Sequence, residues 1–361
     1  MFDVHVVGGG PAGCFAGIGA LLSGNNVLLS EEHGKIGEPE ACSGLISRSG
    51  LESLKPHVDY RKIMLNTITS ARIVCGKDEF IIRPKEEVAI LVSRCELDRL
   101  AAQSFEAQGG KIELGKKVTR NFSAKTIIGA DGPASSIADH FGFPKISSYA
   151  ACMQGNFRFS AEDPRQTSVY LSARDFPGFF GWCIPIDGEN AKIGVGVALP
   201  RHPLKYYRRF LQRLGVSGKP SHEFAAVIPT SMRGSTIAQK GGYSILLAGD
   251  SAGQVKATTG GGIFFGAQCG FLAGMHSGKP KEYEKQWKQK YGLDLALHQA
   301  FRTMLNIGGG EPHPLLFSAA KQLFFEDLLS ESGRMDRWSE MVSPALLADY
   351  AKVVAKKVSG A

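Results

Sequence analysis

The chain of 361 residues is 43% hydrophobic and 21% charged, which excludes a disordered polymer and also a single small core, since domains usually run to about 100–200 residues. Forty-four glycines against seventeen prolines, with no triplet repeat, exclude collagen-like and low-complexity architecture and point to many tight backbone turns. Forty-two Lys and Arg against 34 Asp and Glu leave a net charge of +8, a moderate excess that suits an acidic partner, a phosphate-bearing ligand or an anionic membrane surface alike.

The N-terminus MFDVHVVGGG has no basic n-region and runs straight into a strand and a glycine turn, so no signal peptide is expected. Residues 2–7 read as a buried parallel strand, followed by a helix from Pro11 to Ser23 and a second strand from Val27 to Ser30. Within this βαβ unit, Gly8-Gly9-Gly10-Pro11-Ala12-Gly13 matches GxGxxG, and Glu31 follows Gly13 by eighteen residues. A dinucleotide site follows from the whole context. Gly8 permits the tight turn, Gly10 lets the backbone approach a pyrophosphate, and Gly13 permits close strand–helix packing. Glu31 is placed to accept from ribose hydroxyls, with Ala12 and Glu32 as neighbouring contacts.

Arg72–Cys75 and Glu79–Ile82 are expected to form a hairpin. Two later stretches, Thr126–Gly132 and Ser244–Gly253, share one form: an apolar strand, then Gly/Ala-Asp and small residues. Asp131 and Asp250 thus fall at carboxyl ends of strands, where an open α/β sheet binds its ligand, although a turn capped by its own Asp is the alternative for each. Between them, residues 150–199 are β-rich with Pro and Gly punctuation, a candidate antiparallel sheet. Leu204–Leu214 reads as a basic helix carrying Lys205, Arg208, Arg209 and Arg213. The uncharged run Ala257–Gly278 reaches membrane-spanning length, but its seven glycines and internal Gln268 and His276 favour close packing inside a fold. Tyr283 onward is expected to be helical, with a break at Gly308–Gly310. Seven scattered cysteines without a CxxC pair imply neither a disulfide framework nor a zinc site, no metal is expected, and a reducing cytoplasm fits.

The combination of GGGPAG with Glu31, GADGPASS at 129–136 and LLAGDSAG with TTGGGI at 246–263 resembles the FAD-binding pattern of the flavoprotein monooxygenase superfamily. Within it, three further stretches resemble the geranylgeranyl reductase family, in its archaeal form: His33–Gly44 with Cys42, Pro177–Pro185, and Phe325–Asp336. In the second, Phe180 and Ile184 stand where the family has tyrosine and phenylalanine, so no tyrosine hydroxyl is available there. The same segment approaches the WxWxIP motif of flavin-dependent halogenases.

The resemblance implies an α/β fold in which a Rossmann-type, p-hydroxybenzoate hydroxylase-like FAD-binding domain (1–70, 86–149 and 240–280) is interleaved with an antiparallel β-sheet substrate domain (71–85 and 150–239), ahead of a helical region (281–361). It implies that Arg94 lies near the cofactor phosphates and ribityl chain, and that Gly249 and Asp250 hold the ribityl or pyrophosphate region. Gly260, Gly261, Gly262 and Ile263 would bring backbone donors to the isoalloxazine. Phe180, Trp182 and Ile184, on one face of a strand, would line an apolar substrate pocket or form the core of the sheet.

The implied activity is saturation of C=C bonds in geranylgeranyl chains of lipids or their precursors, by hydride from reduced flavin plus a proton. Cys42, as a neutral thiol, is the candidate donor of that proton; packing as a small buried hydrophobe is the alternative, and a redox role would need a partner such as Cys183 in space. With only one dinucleotide fingerprint, the electron donor is expected to dock transiently, as a reduced carrier protein, a deazaflavin or a nicotinamide. Alternatives on the same fold are a flavin-dependent monooxygenase or halogenase and an electron-transfer flavoprotein. An isoprenoid lipid, no nucleic acid, and peripheral contact with an anionic membrane through the basic helix and the segment Pro344–Val358 complete the expected partners.

Overall fold

The fully buried run Val4–Val7 (β1) lies inside a six-stranded sheet in the computed structural model, which describes residues 1–85, 89–306, 329–330 and 335–341. The order is Ile237–Lys240 (β15), Tyr243–Leu247 (β16), Thr126–Gly129 (β9), β1, Val27–Ser30 (β2) and Lys111–Glu113 (β8). Only β15 runs antiparallel to its neighbour. Burial on both faces explains why β1, β2, β9 and β16 read as continuous apolar runs without alternation. Val7 pairs with Ser30 and with Gly129, and Gly129 with Leu247, so these strands end together. Gly8, Glu31, Ala130 and Ala248 therefore share one edge, the edge at which parallel sheets take ligands.

Pro11–Leu22 (α1) follows β1 and packs lengthwise on Ile263–Met275 (α6). The four-residue glycine spacing of α6 has a direct cause here. A Cβ at Gly270 would overlap the Ala12 carbonyl oxygen, and one at Gly274 that of Ala16, so the two helix backbones touch and an alanine at either position forces them apart. Gly278 lies beyond the helix with nothing near it. At thirteen residues α6 is too short to span a bilayer, and no helix among the described residues is long and apolar enough to do so. Arg94–Ala107 (α3), capped by Ser93, lays Phe105 against Gly17 on another side of α1.

A seven-stranded sheet forms the second layer: His222–Pro229 (β14), Tyr149–Arg158 (β10), Asn190–Ala198 (β13), Gly181–Pro185 (β12), Gln166–Leu171 (β11), Ser70–Cys75 (β5) and Asp78–Ile82 (β6). The sheet departs from the wholly antiparallel expectation at one junction, where β5 pairs parallel with β11. These strands are joined by a long crossover through the first domain rather than by a hairpin, so the connection does not force them to run antiparallel. Alternation divides the sheet. One face carries Phe157, Cys183, Ile193, Val195 and Val197 under Leu204–Arg213 (α5), and the other turns Trp182 and Ile184 toward the first domain.

A small antiparallel sheet of Leu45–Ser47 (β3), Ala89–Val92 (β7) and Met64–Ile68 (β4) is wedged beside α3 and was not anticipated from the sequence. Arg48–Leu54 (α2) and Ser136–Phe141 (α4) are short, while Pro280–Trp287 (α7) and Leu293–Asn306 (α8) are joined by a π turn at Lys288–Gly292. Gly308–Gly310, Pro344–Val358 and most of the Phe325–Asp336 motif lie outside the described residues.

Candidate functional site

The glycine turn after β1 is shaped by contact on two sides and open on the third. Gly8 adopts φ +107°, and a Cβ there would overlap the Ala130 carbonyl; one at Gly13 would overlap that of Gly8. At Gly10, immediately before α1, a Cβ would meet nothing within 4 Å. Open space thus faces the free N–H groups of the helix N-terminus, the arrangement that receives a phosphate. The Glu31 carboxylate accepts from Gly9 N at 2.6 Å and from His33 N at 2.9 Å, fixing it beside that opening.

The third strand end meets the first directly. A Cβ at Gly249 would lie 2.7 Å from that of Ala12, and one at Gly262 would lie 3.0 Å from Asp250 Oδ1. Gly260 adopts φ +73°, and a Cβ there would lie 3.0 Å from Ile228 Cδ1 and 3.4 Å from Phe179 Cζ. The 260–262 turn, leading into Ile263 and α6, therefore joins the nucleotide-type turn to the inner face of the large sheet. Burial pushes Asp250 from the ordinary 3.8 up to about 6, against the opposing pull of the Arg94 cation, and no hydrogen bond reaches its carboxylate among the described residues.

Arg94 is ion-paired with Asp98 at 2.5 Å, the carboxylate buried and the guanidinium side chain partly so. Its Nε and Asp98 Oδ1 nevertheless lack hydrogen-bond partners among the described residues. Orphaned polar atoms of this kind are rare in folded proteins, and here one belongs to a guanidinium within electrostatic reach of Asp250, which fits a polar, phosphate-bearing cofactor.

Two other carboxylates are engaged elsewhere. Asp131 accepts from Ser135 Oγ at 2.6 Å, Ser136 Oγ at 3.1 Å and Ile137 N at 3.0 Å, capping α4. Glu32 is exposed and paired with Lys117 at 2.7 Å. The structure brings Gly8, Gly10, Ala12, Gly13, Glu31, Arg94, Gly249, Asp250 and the 260–263 turn together, and it leaves the side chains of Glu32 and Asp131 outside that group.

Phe180, Trp182 and Ile184 share a face with Ala150, Cys152, Phe179 and Ile228. Phe179 and Phe180 stack at 4.3 Å, Phe180 meets Trp182 edge-on at 5.6 Å, and Trp182 Nε1 donates to Gln154 Oε1 at 2.9 Å. Gly194 and Gly196 on β13 make room for these rings, since a Cβ at either would overlap Trp182 or Phe179. Arg302 closes the cluster from behind, lying over the Phe179 ring at 4.8 Å and donating to the carbonyls of Ala257 and Gly178.

Cys42 lies half-buried on the loop that leads into β3, its sulfur accepting from Gly44 N at 3.4 Å. The loop is held from two sides. Cys95 Sγ donates to Gly37 O at 2.9 Å, and from the large sheet Lys192 Nζ donates to Ser43 O at 2.8 Å and pairs with Glu40 Oε1 at 3.2 Å. Lys192 was overlooked in the sequence, although a lysine inside the apolar strand NAKIGVGVA is the signal that finds it. Cys183 is not a partner for Cys42, because it points from β12 to the opposite face, among Phe157 and Tyr207.

No protein-family model matches the chain. It is 29% identical over 355 residues to digeranylgeranylglycerophospholipid reductase 2 of Methanothermobacter thermautotrophicus, covering 86% of this chain and 89% of that one. It is 27% identical over 347 residues to the digeranylgeranylglycerophospholipid reductase of Methanocaldococcus jannaschii, covering 84% and 87%. Among solved structures, a geranylgeranyl bacteriochlorophyll reductase-like protein of Thermoplasma acidophilum matches with TM-score 0.79 at 20% identity, over 99% of this chain and 98% of the other. A flavin-dependent brominase matches with TM-score 0.68 at 15% identity over 100% of both chains. The fold is thus the one used by flavin-dependent monooxygenases and halogenases, and along its sequence the chain is similar to the archaeal geranylgeranyl reductases.

Proposed function

We propose that the protein is an FAD-dependent reductase that saturates C=C bonds in the geranylgeranyl chains of lipids or lipid precursors. The observation that carries this reading is the junction at Gly260, where the turn assigned to the cofactor runs so close to an aromatic and aliphatic sheet face that a Cβ would meet Ile228 and Phe179. We assign FAD to Gly8, Gly10, Ala12, Gly13, Glu31, Arg94, Gly249, Asp250 and the 260–263 turn, within a cofactor-binding unit at 1–70, 86–149 and 240–280. When bound, the flavin supplies two-electron reduction of the alkene. The chain's own residues do the rest. Phe180, Trp182 and Ile184 exclude water and seat an isoprenoid chain, and Cys42 holds the proton for the second alkene carbon. The electron donor docks transiently, since the sequence carries a single dinucleotide fingerprint.

Mass spectrometry of a geranylgeranyl lipid after anaerobic incubation with the chemically reduced holoprotein tests this: two added hydrogens per saturated bond are expected. A product that forms only with dioxygen assigns a monooxygenase or halogenase instead, and quinone reduction with the lipid unchanged assigns electron transfer.

The lipid substrate brings the protein to a membrane surface, and we place that contact on α5. Its exposed face carries Lys205, Arg208, Arg209 and Arg213, of which the last two also pair with Asp175 at 3.7 and 3.4 Å. Each cation near an anionic bilayer contributes about 1 kcal/mol. Co-sedimentation with anionic vesicles is expected at low salt and not at high salt, and absence of binding at low salt rejects the assignment.

A further inference from the structure

We propose that Lys192 is a positioning residue for Cys42, gripping the Glu40–Gly44 turn from the floor of the sheet and so setting where the thiol stands. The inference rests on the reading of Cys42 as the proton donor given above. Lys192 projects from β13 on the face that holds Trp182 and Ile184, directly opposite Ile184 on β12 and Asn156 on β10. Its side chain is only 3% exposed. A buried ammonium is costly to desolvate, so its place demands a reason in what it holds.

What it holds is the cysteine turn. The ammonium donates to the carbonyl of Ser43, the residue after Cys42, and pairs with the carboxylate of Glu40, two residues before it. His222, opposite Asn156 on β14, adds a contact of its Nε2 with the Glu40 carbonyl at 3.1 Å. Glu40 Oε2 in turn accepts from Cys95 Sγ at 3.5 Å, tying the turn to the start of α3, next to Arg94. The turn therefore spans the two domains, with its grip on the sheet side made by Lys192 and His222 and its grip on the other side by Cys95. A cation with several donors satisfies a carbonyl and a carboxylate at once, which a neutral isostere cannot do.

Site-resolved alkylation tests this without turnover. The holoprotein, Lys192→Met, Lys192→Arg and Glu40→Gln are treated with iodoacetamide, and modification of each cysteine is followed by peptide mass spectrometry. Lys192→Met is expected to raise the Cys42 rate about tenfold or more, as loss of a charge-assisted tether raises local opening. Lys192→Arg is expected to restore most of the protection. Cys14, Cys152, Cys183 and Cys269, all buried, report on the rest of the fold and are expected to stay unmodified. An unchanged Cys42 rate overturns the proposal, and so does a rise shared by those four thiols, which marks general loosening. Should Lys192→Met not be obtained folded, Glu40→Gln carries the test: a faster Cys42 supports the clamp, and the parental rate rejects it.

Turnover then separates positioning from mere structure. Lys192→Met should lower kcat with little change in KM, and should cost nothing further in a Cys42→Ala background, because the lysine acts through the thiol. An equal loss in both backgrounds overturns the role. If the parent protein does not saturate prenyl chains, the proposed function fails while the alkylation rates still decide whether Lys192 holds the turn.

Discussion

Cys42→Ala is expected to retain fold and FAD while saturating prenyl chains ~10²-fold or more slowly, the scale of a lost general acid. An unactivated alkene offers no electron sink, so reduction at one carbon must be matched by a proton at the other, and a donor held in place is worth most where water is excluded. The structure supplies the setting. Cys42 stands on a turn fixed to the sheet through Lys192 and to α3 through Cys95, and Arg94 lies within electrostatic reach of it. Cys42→Ser keeps a donor of similar size and should retain more activity than alanine. Single-turnover mixing of reduced protein with lipid, followed by mass spectrometry, reads the chemical step directly. Parental rates in the alanine variant would make Cys42 a packing residue and leave protonation to water or another group.

Two stretches of nearly identical local pattern show where sequence reading stops. GADGPASS and AGDSAG each end a buried strand with an aspartate, and the strands were legible because burial on both faces leaves an unbroken apolar run. The fates of the two carboxylates diverge for reasons set a few residues on. After Asp131, Ser135 and Ser136 follow by four and five residues at the start of α4 and donate back to it, as does Ile137 N, so it is consumed at the helix N-terminus. After Asp250, Ser251 turns its hydroxyl to the carbonyls of Gly129 and Ala248, and the aspartate is left facing Gly262. The three-stranded sheet escaped notice because β3 is three residues long and β4 shows no alternation of burial. The grip of Lys192 on Ser43 joins residues 149 apart in sequence, which no local pattern encodes.

Asp250→Asn is expected to lose FAD and yet to make the apoprotein more stable at pH 7.5. The two effects have one origin. Asp250 is largely buried without a hydrogen bond to its carboxylate among the described residues, and desolvation lifts it from 3.8 to about 6 even though Arg94 favours its ionised form. Because the folded value exceeds the unfolded one, the folded state keeps the proton that the unfolded chain releases between about pH 4 and pH 6. Stability therefore falls as pH rises through that window and stays reduced above it, by up to about 3 kcal/mol for a shift of roughly two pH units. A neutral asparagine removes that penalty. Thermal melts of the flavin-free parent should fall across pH 4–6 relative to the variant, whose melts should be higher at pH 7.5. A charge kept at the expense of stability is a mark of a binding site, and the compensating partner on our reading is a hydroxyl of the FAD ribityl chain, which a carboxylate accepts from and an amide serves less well. Flavin content after purification, measured by absorbance against protein, is thus expected to drop in Asp250→Asn and further in Asp250→Ala. A variant that keeps stoichiometric flavin, or one whose apoprotein melts no higher than the parent at pH 7.5, would show that Asp250 serves the turn alone.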